Sequence, residues 1–550
     1  MLFAELPPPL PPAAIVASAT IDTRIRLNTI GFLPEAQKQA TIGAPCGKFS
    51  VVRVSDKAVV FNGTAGKSTP TPGNDTREDV QIIDFSELTT PGQYRVEVAD
   101  IGASAPFTID RGIWNQPFEV TMRAMYLWRC GTAVESVWNG VTYRHGACHT
   151  DDGWLDYVGD GHTQRQSTGG WHDAGDYNKY VVNAGVTVGM MLKAWEQFPE
   201  RVATDTLGIP ESGNKVPDLL DEVRFEAEWL FTMQGDDGRV YCKVSALNFK
   251  YWGPPDKDES PRYFAPWSTV ATADFTAMMA ETARAWRPFD AKFSTRCLDA
   301  AKKSWAVLLK HPEQVDADQA AFKTGGYAPK DTSHRLWAAV ELWEATGETA
   351  FLKEFETRAK ESSYELSRFG PNWGDVQDLA YATYLLSSQP KDRDANTVSL
   401  LTKNVLSRAN EIVATSLNHE YRRPMGGERP SWWWGSNGNV ASQTLILHLA
   451  DRLKPNPSYR ATAQCALDHL FGRNFNGRSY VTGLGALPPQ HLHDRRGEPA
   501  WPGYLVGGSW PDGRSWSDTL ASYQTNEIAI NWNGSLIYAI AAFAEPTAAK

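Results

Sequence analysis

Six cysteines in 550 residues (Cys46, Cys130, Cys148, Cys242, Cys297, Cys465) lie too far apart for the disulfide framework of a small secreted fold. Long apolar runs are also missing. None reaches the roughly 20 residues that span a bilayer, which excludes a membrane-embedded helix. Positive charge is in deficit, 54 Lys and Arg against 64 Asp and Glu for a net charge of -10. Nucleic acid, which needs a basic surface, is therefore excluded as the main partner. The opening residues, Met1-Leu2-Phe3-Ala4-Glu5 and a Pro-rich run to Pro12, have neither the basic region nor the apolar core of a signal peptide. Either the chain works inside the cell, or it is exported by a signal outside this sequence.

Aromatic rings are plentiful: 21 Trp, 19 Tyr and 22 Phe. A large core accounts for most of them, and a surplus of Trp also suits stacking on the apolar faces of sugars. The length implies two or more domains. Residues 1–21 form a Pro/Ala-rich segment. From 22 to 110, runs with strand character at 25–28, 49–54, 58–61, 80–85 and 92–98 are separated by turn clusters such as Thr71-Pro72-Gly73-Asn74-Asp75, the pattern of a β-sandwich. Past Asn115 the period becomes helical. Twelve amphipathic segments are predicted, near 116–131, 183–198, 217–233, 268–287, 293–309, 333–347, 349–366, 376–387, 394–414, 437–453, 458–471 and 524–543. In the third, Leu219, Leu220, Val223, Phe225, Trp229 and Leu230 keep to one stripe. Strand-like runs are almost absent there, so residues 111–550 read as all-α. An ordinary bundle core does not grow so large, whereas six helical hairpins closed into a toroid would.

Chemistry concentrates in Gly169-Gly170-Trp171-His172-Asp173-Ala174-Gly175-Asp176-Tyr177. Asp173 and Asp176 are spaced to share a water. A distant acid, Glu527, follows Trp516-Ser517-Asp518 and Tyr523. An acid pair holding a water, opposed by one further acid, is equipment for hydrolysing a glycosidic bond. The plainer alternative makes the aspartates caps of a helix starting near Asn178. It also places Glu527 in a first helical turn, where the dipole would lower its pKa. A general acid at that position needs burial, or negative charge from Asp518 or from the aspartate pair, to overcome the dipole.

Together with Ser479-Tyr480-Val481-Thr482-Gly483-Leu484-Gly485, His493-Asp494-Arg495 and Ala529 and Asn533 after Glu527, these motifs resemble family 9 glycoside hydrolases, the cellulase group, over about residues 22 to 545. The resemblance implies an N-terminal immunoglobulin-like β-sandwich (22–110) followed by an (α/α)6-barrel catalytic domain (111–550), the chain being a monomer secreted or periplasmic in location. It implies an inverting endo-β-1,4-glucanase acting on a β-glucan polysaccharide or oligosaccharide, with an exo-acting member (cellobiohydrolase, β-glucosidase or exo-glucosaminidase) as the alternative. Asp176 would be the general base, Asp173 its assistant and Glu527 the general acid. His493 and Arg495 would contact sugar hydroxyls, and Tyr523, Trp267 and Trp434 are stacking candidates by local context. The subgroup's zinc would fall on Cys130, Cys148, His149 and His172, with His145 as a substitute ligand. A closed site of this kind is structural and would pin the catalytic loop to the first barrel helix. Departures are Leu487, Gly534 and above all Pro329-Lys330-Asp331-Thr332-Ser333-His334, where one acid remains of a cluster that binds calcium in the family.

Overall fold

Alternation of inward and outward side chains builds the first part of the chain. In Gly92–Val98, Tyr94, Val96 and Val98 are buried and their neighbours are not. The computed structural model describes residues 21–66, 76–155, 163–389, 393–426 and 431–546; the Pro/Ala-rich opening to residue 20 and the turn cluster Thr71–Asp75 lie outside them. One sheet pairs Ile25–Arg26, Gln39–Ile42 and Gln81–Asp84. The other runs Gly31–Phe32, Phe107–Ile109, Gly92–Val98, Lys48–Arg53, Val59–Thr64, with Gly102–Ala103 added to Gly92–Val98. Phe32 meets Phe85 and Phe107 edge-on at 5.7 and 5.5 Å in the shared core. Four of these strands were not predicted, because two to four residues carry no readable period.

The second part is the (α/α)6 barrel. Its inner helices are Val181–Gln197, Thr269–Trp286, Thr332–Thr346, Gln377–Leu386, the consecutive pair Ser436–Ser442 and Thr444–Leu453, and Ile530–Ala541, each touching the next and the last touching the first. They are buried nearly all round: in Thr269–Trp286 only Arg284 escapes burial. The outer helices, Asn115–Leu127, Asp218–Met233, Ala291–Lys310, Thr349–Glu361, Ala395–Asn418 and Pro457–Leu470, supply the second ring. Ala291–Lys310, for example, buries the stripe Phe293, Cys297, Ala301, Trp305 and Leu308. Gly534 lets two inner helices meet closely, since a Cβ there would lie 2.9 Å from the Thr187 carbonyl.

Two expectations need correction. The helix predicted over 524–543 is broken: a turn at Tyr523–Asn526 is followed by extended backbone through Ala529, and the helix proper starts at Ile530. Edge pairing of Glu527 and Ile528 with other segments outweighs helical propensity there. The all-α part also contains strands, a hairpin at Val134–Trp138 and Val141–His145 and a small sheet of Lys179–Tyr180, Lys243–Ala246 and Arg262–Phe264. No described helix is long and apolar enough to cross a membrane.

The two parts meet through buried hydrogen bonds. Asn28 Nδ2 donates to Asp468 Oδ1 at 2.9 Å, and Arg473 donates to Thr41 Oγ1 at 3.1 Å and to Gln39 Oε1 at 3.2 Å. Thr29 Oγ1 donates to the Phe471 carbonyl and accepts from Ala486 N, directly after the Ser479–Gly485 motif. Burial at this junction pushes the Asp468 carboxyl up to about 6.

Candidate active site

Three segments far apart in sequence are joined by main-chain bonds. Asp173 N–H donates to the Asn178 carbonyl, closing the loop around Asp176, and the Asp173 carbonyl accepts from Ile530 N at 2.9 Å. Ala174 bridges to Ala529, and Glu527 to His493. Arg495 N–H donates to the Gly175 carbonyl at 3.1 Å. Gly175 is required at that crossing, because a Cβ would sit 2.1 Å from the His493 carbonyl oxygen. Asp173, Asp176, Glu527, His493 and Arg495 are thus brought into one site.

Neither aspartate caps a helix: Lys179–Tyr180 is strand, and the helix begins at Val181. Asp173 has both oxygens engaged, Oδ1 by Asn183 Nδ2 at 2.6 Å and Oδ2 by the Tyr327 hydroxyl at 2.9 Å. Asp176 Oδ2 accepts from Asn178, while Oδ1 accepts nothing from the described residues. Burial, and then the charge of Asp176, raise the Asp173 carboxyl well above its ordinary value. Glu527 is raised well above its ordinary value too, by burial first and then by Asp176 and Asp173; Arg495 and a bond from Trp434 oppose the shift without cancelling it. With the backbone extended at Glu527, the dipole objection disappears. Asp518 does not supply the charge. Its carboxylate accepts from Gln490 N, His491 N, Asn526 Nδ2 and Arg478 Nη2, tying the segment before His493 to the segment before Glu527.

Exposed rings line the approach. Trp434 stands edge-on to Tyr523 at 5.4 Å, and His493 lies between Tyr523 at 5.8 Å and Trp252 at 5.3 Å. The Arg495 guanidinium is held over both Phe249 and Trp252. Tyr327, the partner of Asp173, meets Trp373 edge-on at 5.3 Å. Phe249, Trp252, Trp373, Trp434 and Tyr523 are all 40–47% exposed. Trp267 is not brought to this group: its ring lies between Arg239 and His311. Phe249, Trp252, Tyr327 and Trp373 were missed in the sequence, where an aromatic in a loop looks the same whether it is core or surface.

Behind the loop, one ligand atom each from Cys130, Cys148, His149 and His172 lies within 4.8 Å of the other three, all four residues buried. His145 is not in the group. Cys130 Sγ is 3.7 Å from His149 Nδ1, and Cys148 Sγ is 3.5 Å from His172 Nε2. His172 Nδ1 is buried and has no hydrogen-bond partner among the described residues. Two thiols and two imidazoles converging this closely fit a metal ion. All six cysteines are free. The loop is also held by protein alone, through Cys130 N to Gly170 O and His172 N to Trp128 O, both 2.8 Å.

In comparisons with known proteins, residues 21–103 match the profile "Cellulase N-terminal ig-like domain". The chain is 47% identical to Endoglucanase D of Acetivibrio thermocellus over 547 residues, 98% of this chain and 83% of that protein. A metagenome-derived family 9 endoglucanase superposes with a TM-score of 0.87 at 33% identity, covering 94% of this chain and 98% of the other. A zinc-binding triple mutant of family 9 endoglucanase J30 superposes at 0.86 with 30% identity, covering 94% and 100%. The profile "Glycosyl hydrolase family 9" matches residues 114–540, the whole barrel with all three acids, and the chain belongs to that family.

Proposed function

We propose that this chain is an inverting endo-β-1,4-glucanase hydrolysing cellulose-type or mixed-linkage β-glucans, a monomer that works outside the cytoplasm. The observation that carries the reading is the joining of Glu527 to the aspartate loop through His493 and Ala529, where burial and the aspartate pair raise its carboxyl well above the ordinary value. In this mechanism Asp176 takes a proton from water through its unengaged Oδ1. Asp173, fixed by Asn183 and Tyr327, orients that water. Glu527 protonates the departing sugar oxygen on the opposite face. His493 donates Nδ1–H to the Leu520 carbonyl, at 2.8 Å, which leaves Nε2 to accept from a sugar hydroxyl. Burial lowers the His493 pKa and keeps the ring neutral for that task. Arg495, Tyr523 and Trp434 complete the sugar contacts. Residues 1–21 precede a sandwich at 22–110 that buttresses a catalytic domain at 111–550.

Endo attack is tested by viscosity. Carboxymethylcellulose or mixed-linkage glucan is expected to thin rapidly while few reducing ends appear. Glucose or cellobiose accumulating at nearly constant viscosity would replace this reading with the exo-acting one.

The Cys130, Cys148, His149 and His172 cluster is assigned to zinc, because two thiolates and two imidazoles are the donor set of a structural zinc and all four would hold the ion. Its role is structural: His172 immediately precedes Asp173. Calcium is not expected at 329–334. The one acid there, Asp331, is bound to Arg335 at 2.7 Å, and the same guanidinium donates to the carbonyls of Leu308 and His311, so the loop carries its own cation. Metal analysis of protein purified without added metal is expected to give one zinc per chain. Folded, active protein without zinc, or calcium bound through Asp331, would contradict the assignment.

A further inference from the structure

The cluster touches a second loop. His149 turns Nδ1 toward Cys130, and its other nitrogen, Nε2, lies 3.4 Å from Asp258 Oδ2. A histidine that binds a metal through one nitrogen commonly gives the N–H of the other to a carboxylate, which fixes the ring and raises its basicity. Asp258 is in that position, with its side chain 8% exposed and its other oxygen accepting from Ser260 N at 2.9 Å. Among the described residues His172 has no such support, its Nδ1 having no hydrogen-bond partner there. Among the described residues, Asp258 is the one carboxylate bonded to a histidine of the cluster.

Asp258 also closes the loop that carries Phe249 and Trp252. Six residues before it, Trp252 stands beside His493 and over Arg495, and the Tyr251 carbonyl accepts from Arg495 Nε at 3.2 Å. The loop has a second anchor on the catalytic segment, where the Tyr177 hydroxyl donates to the Gly253 carbonyl at 2.6 Å. The Tyr177 ring itself lies 4.9 Å from His172. Phe249 and Trp252 themselves are half exposed, so the loop is held at its ends and by Tyr251: Leu247 O accepts from Lys323 N at 2.7 Å, the Tyr251 ring packs on Tyr177, and Asp258 closes the other end.

We propose that Asp258 is a positioning residue that couples the metal cluster to the sugar-contacting loop, so that the metal fixes Trp252 and Arg495 as well as the catalytic loop. The coupling rests on the zinc reading above. It predicts that loss of the metal weakens glucan binding in addition to turnover, through a residue that touches neither metal nor substrate.

The test uses the full-length, metal-loaded protein and its Asp258→Asn and Asp258→Ala variants. Asn keeps an acceptor of the same shape without the charge, which guards against a folding failure of the Ala variant. Zinc affinity, measured by competition with a chromophoric chelator, is expected to fall by roughly 10–100-fold, more for Ala than for Asn. KM for a soluble cello-oligosaccharide is expected to rise by a larger factor than kcat falls, and Asp258→Glu is expected to restore part of both. A merely structural aspartate would lower thermal stability without moving zinc affinity or splitting KM from kcat. Zinc in the parent protein with unchanged affinity and KM in both variants overturns the coupling and leaves the zinc reading standing. No zinc in the parent protein overturns both.

Discussion

Glu527→Gln is expected to lose about 10²–10⁴-fold in kcat on natural β-glucans, the usual contribution of a positioned general acid. It should keep far more activity on a glycoside whose leaving group departs without protonation. Asp176→Asn is expected to be inactive on both substrates, because the attacking water still needs its base. The pH profile follows from the same group. Burial and the aspartate pair raise the Glu527 carboxyl well above its ordinary value, so the parent stays active as pH rises past the usual carboxylate range and declines only as it passes through that raised value. Stability has a definite sign as well. A carboxyl raised in the folded state contributes stability below its unfolded pKa, and that contribution is lost as pH climbs through the folded one. Glu527→Gln removes the titration, so the nearly inactive variant should melt higher than the parent at neutral and alkaline pH. Near-normal turnover in Asp176→Asn with the fold intact would place the base elsewhere.

Removal of the sandwich is expected to be almost as damaging. Its boundary with the barrel combines buried polar bonds with the apolar side chains Ile30 and Leu33 packed on the barrel core, and deleting residues 1–110 removes the bonds that Arg473, Asp468 and the Phe471 carbonyl make to Thr41 and Gln39, to Asn28 and to Thr29. Arg473 is 1% exposed, and each bond lost from a buried charged group costs about 1.5–3 kcal/mol. The effect reaches the site, because Thr29 holds Ala486 and Gly485 packs on Thr29 just ahead of the segment that carries His493. The isolated barrel is expected to be poorly soluble, with a melting temperature well below that of the whole chain. Full activity and unchanged melting in the truncated protein would contradict the buttress.

The fold was legible because a 3.6-residue period persists over long helices, and eleven of the twelve segments begin within two residues of the observed helices. The exception is the one that carries Glu527. Glu527 to Ala529 reads as helix by composition, yet its backbone is drawn out by pairing with His493, Val506 and Ala174, partners that no local pattern reveals. The same reason hid the small sheet through Lys179–Tyr180, which leaves the two supposed caps, Asp173 and Asp176, in a loop ahead of it. The aspartate pair stood out by its glycine-flanked setting, whereas Cys130, Cys148, His149 and His172, whose spacing is no zinc-finger pattern, came from the family resemblance and converge only in the fold. Tyr327, which fixes Asp173, and Trp252, which stands on His493, sit in loops without periodicity, and only their exposure and partners distinguish them from core. Trp267 shows the converse, a loop tryptophan held by Arg239 and His311 away from the site.

Proton NMR of the first minutes of cello-oligosaccharide hydrolysis tests the central claim most directly. An acid pair that holds a water opposite Glu527 predicts α-anomer product from the β-linked chain, with the β-anomer appearing only later by mutarotation. β-Anomer formed first would mean that a carboxylate attacks the sugar itself, and the roles given to Asp173, Asp176 and Glu527 would be wrong.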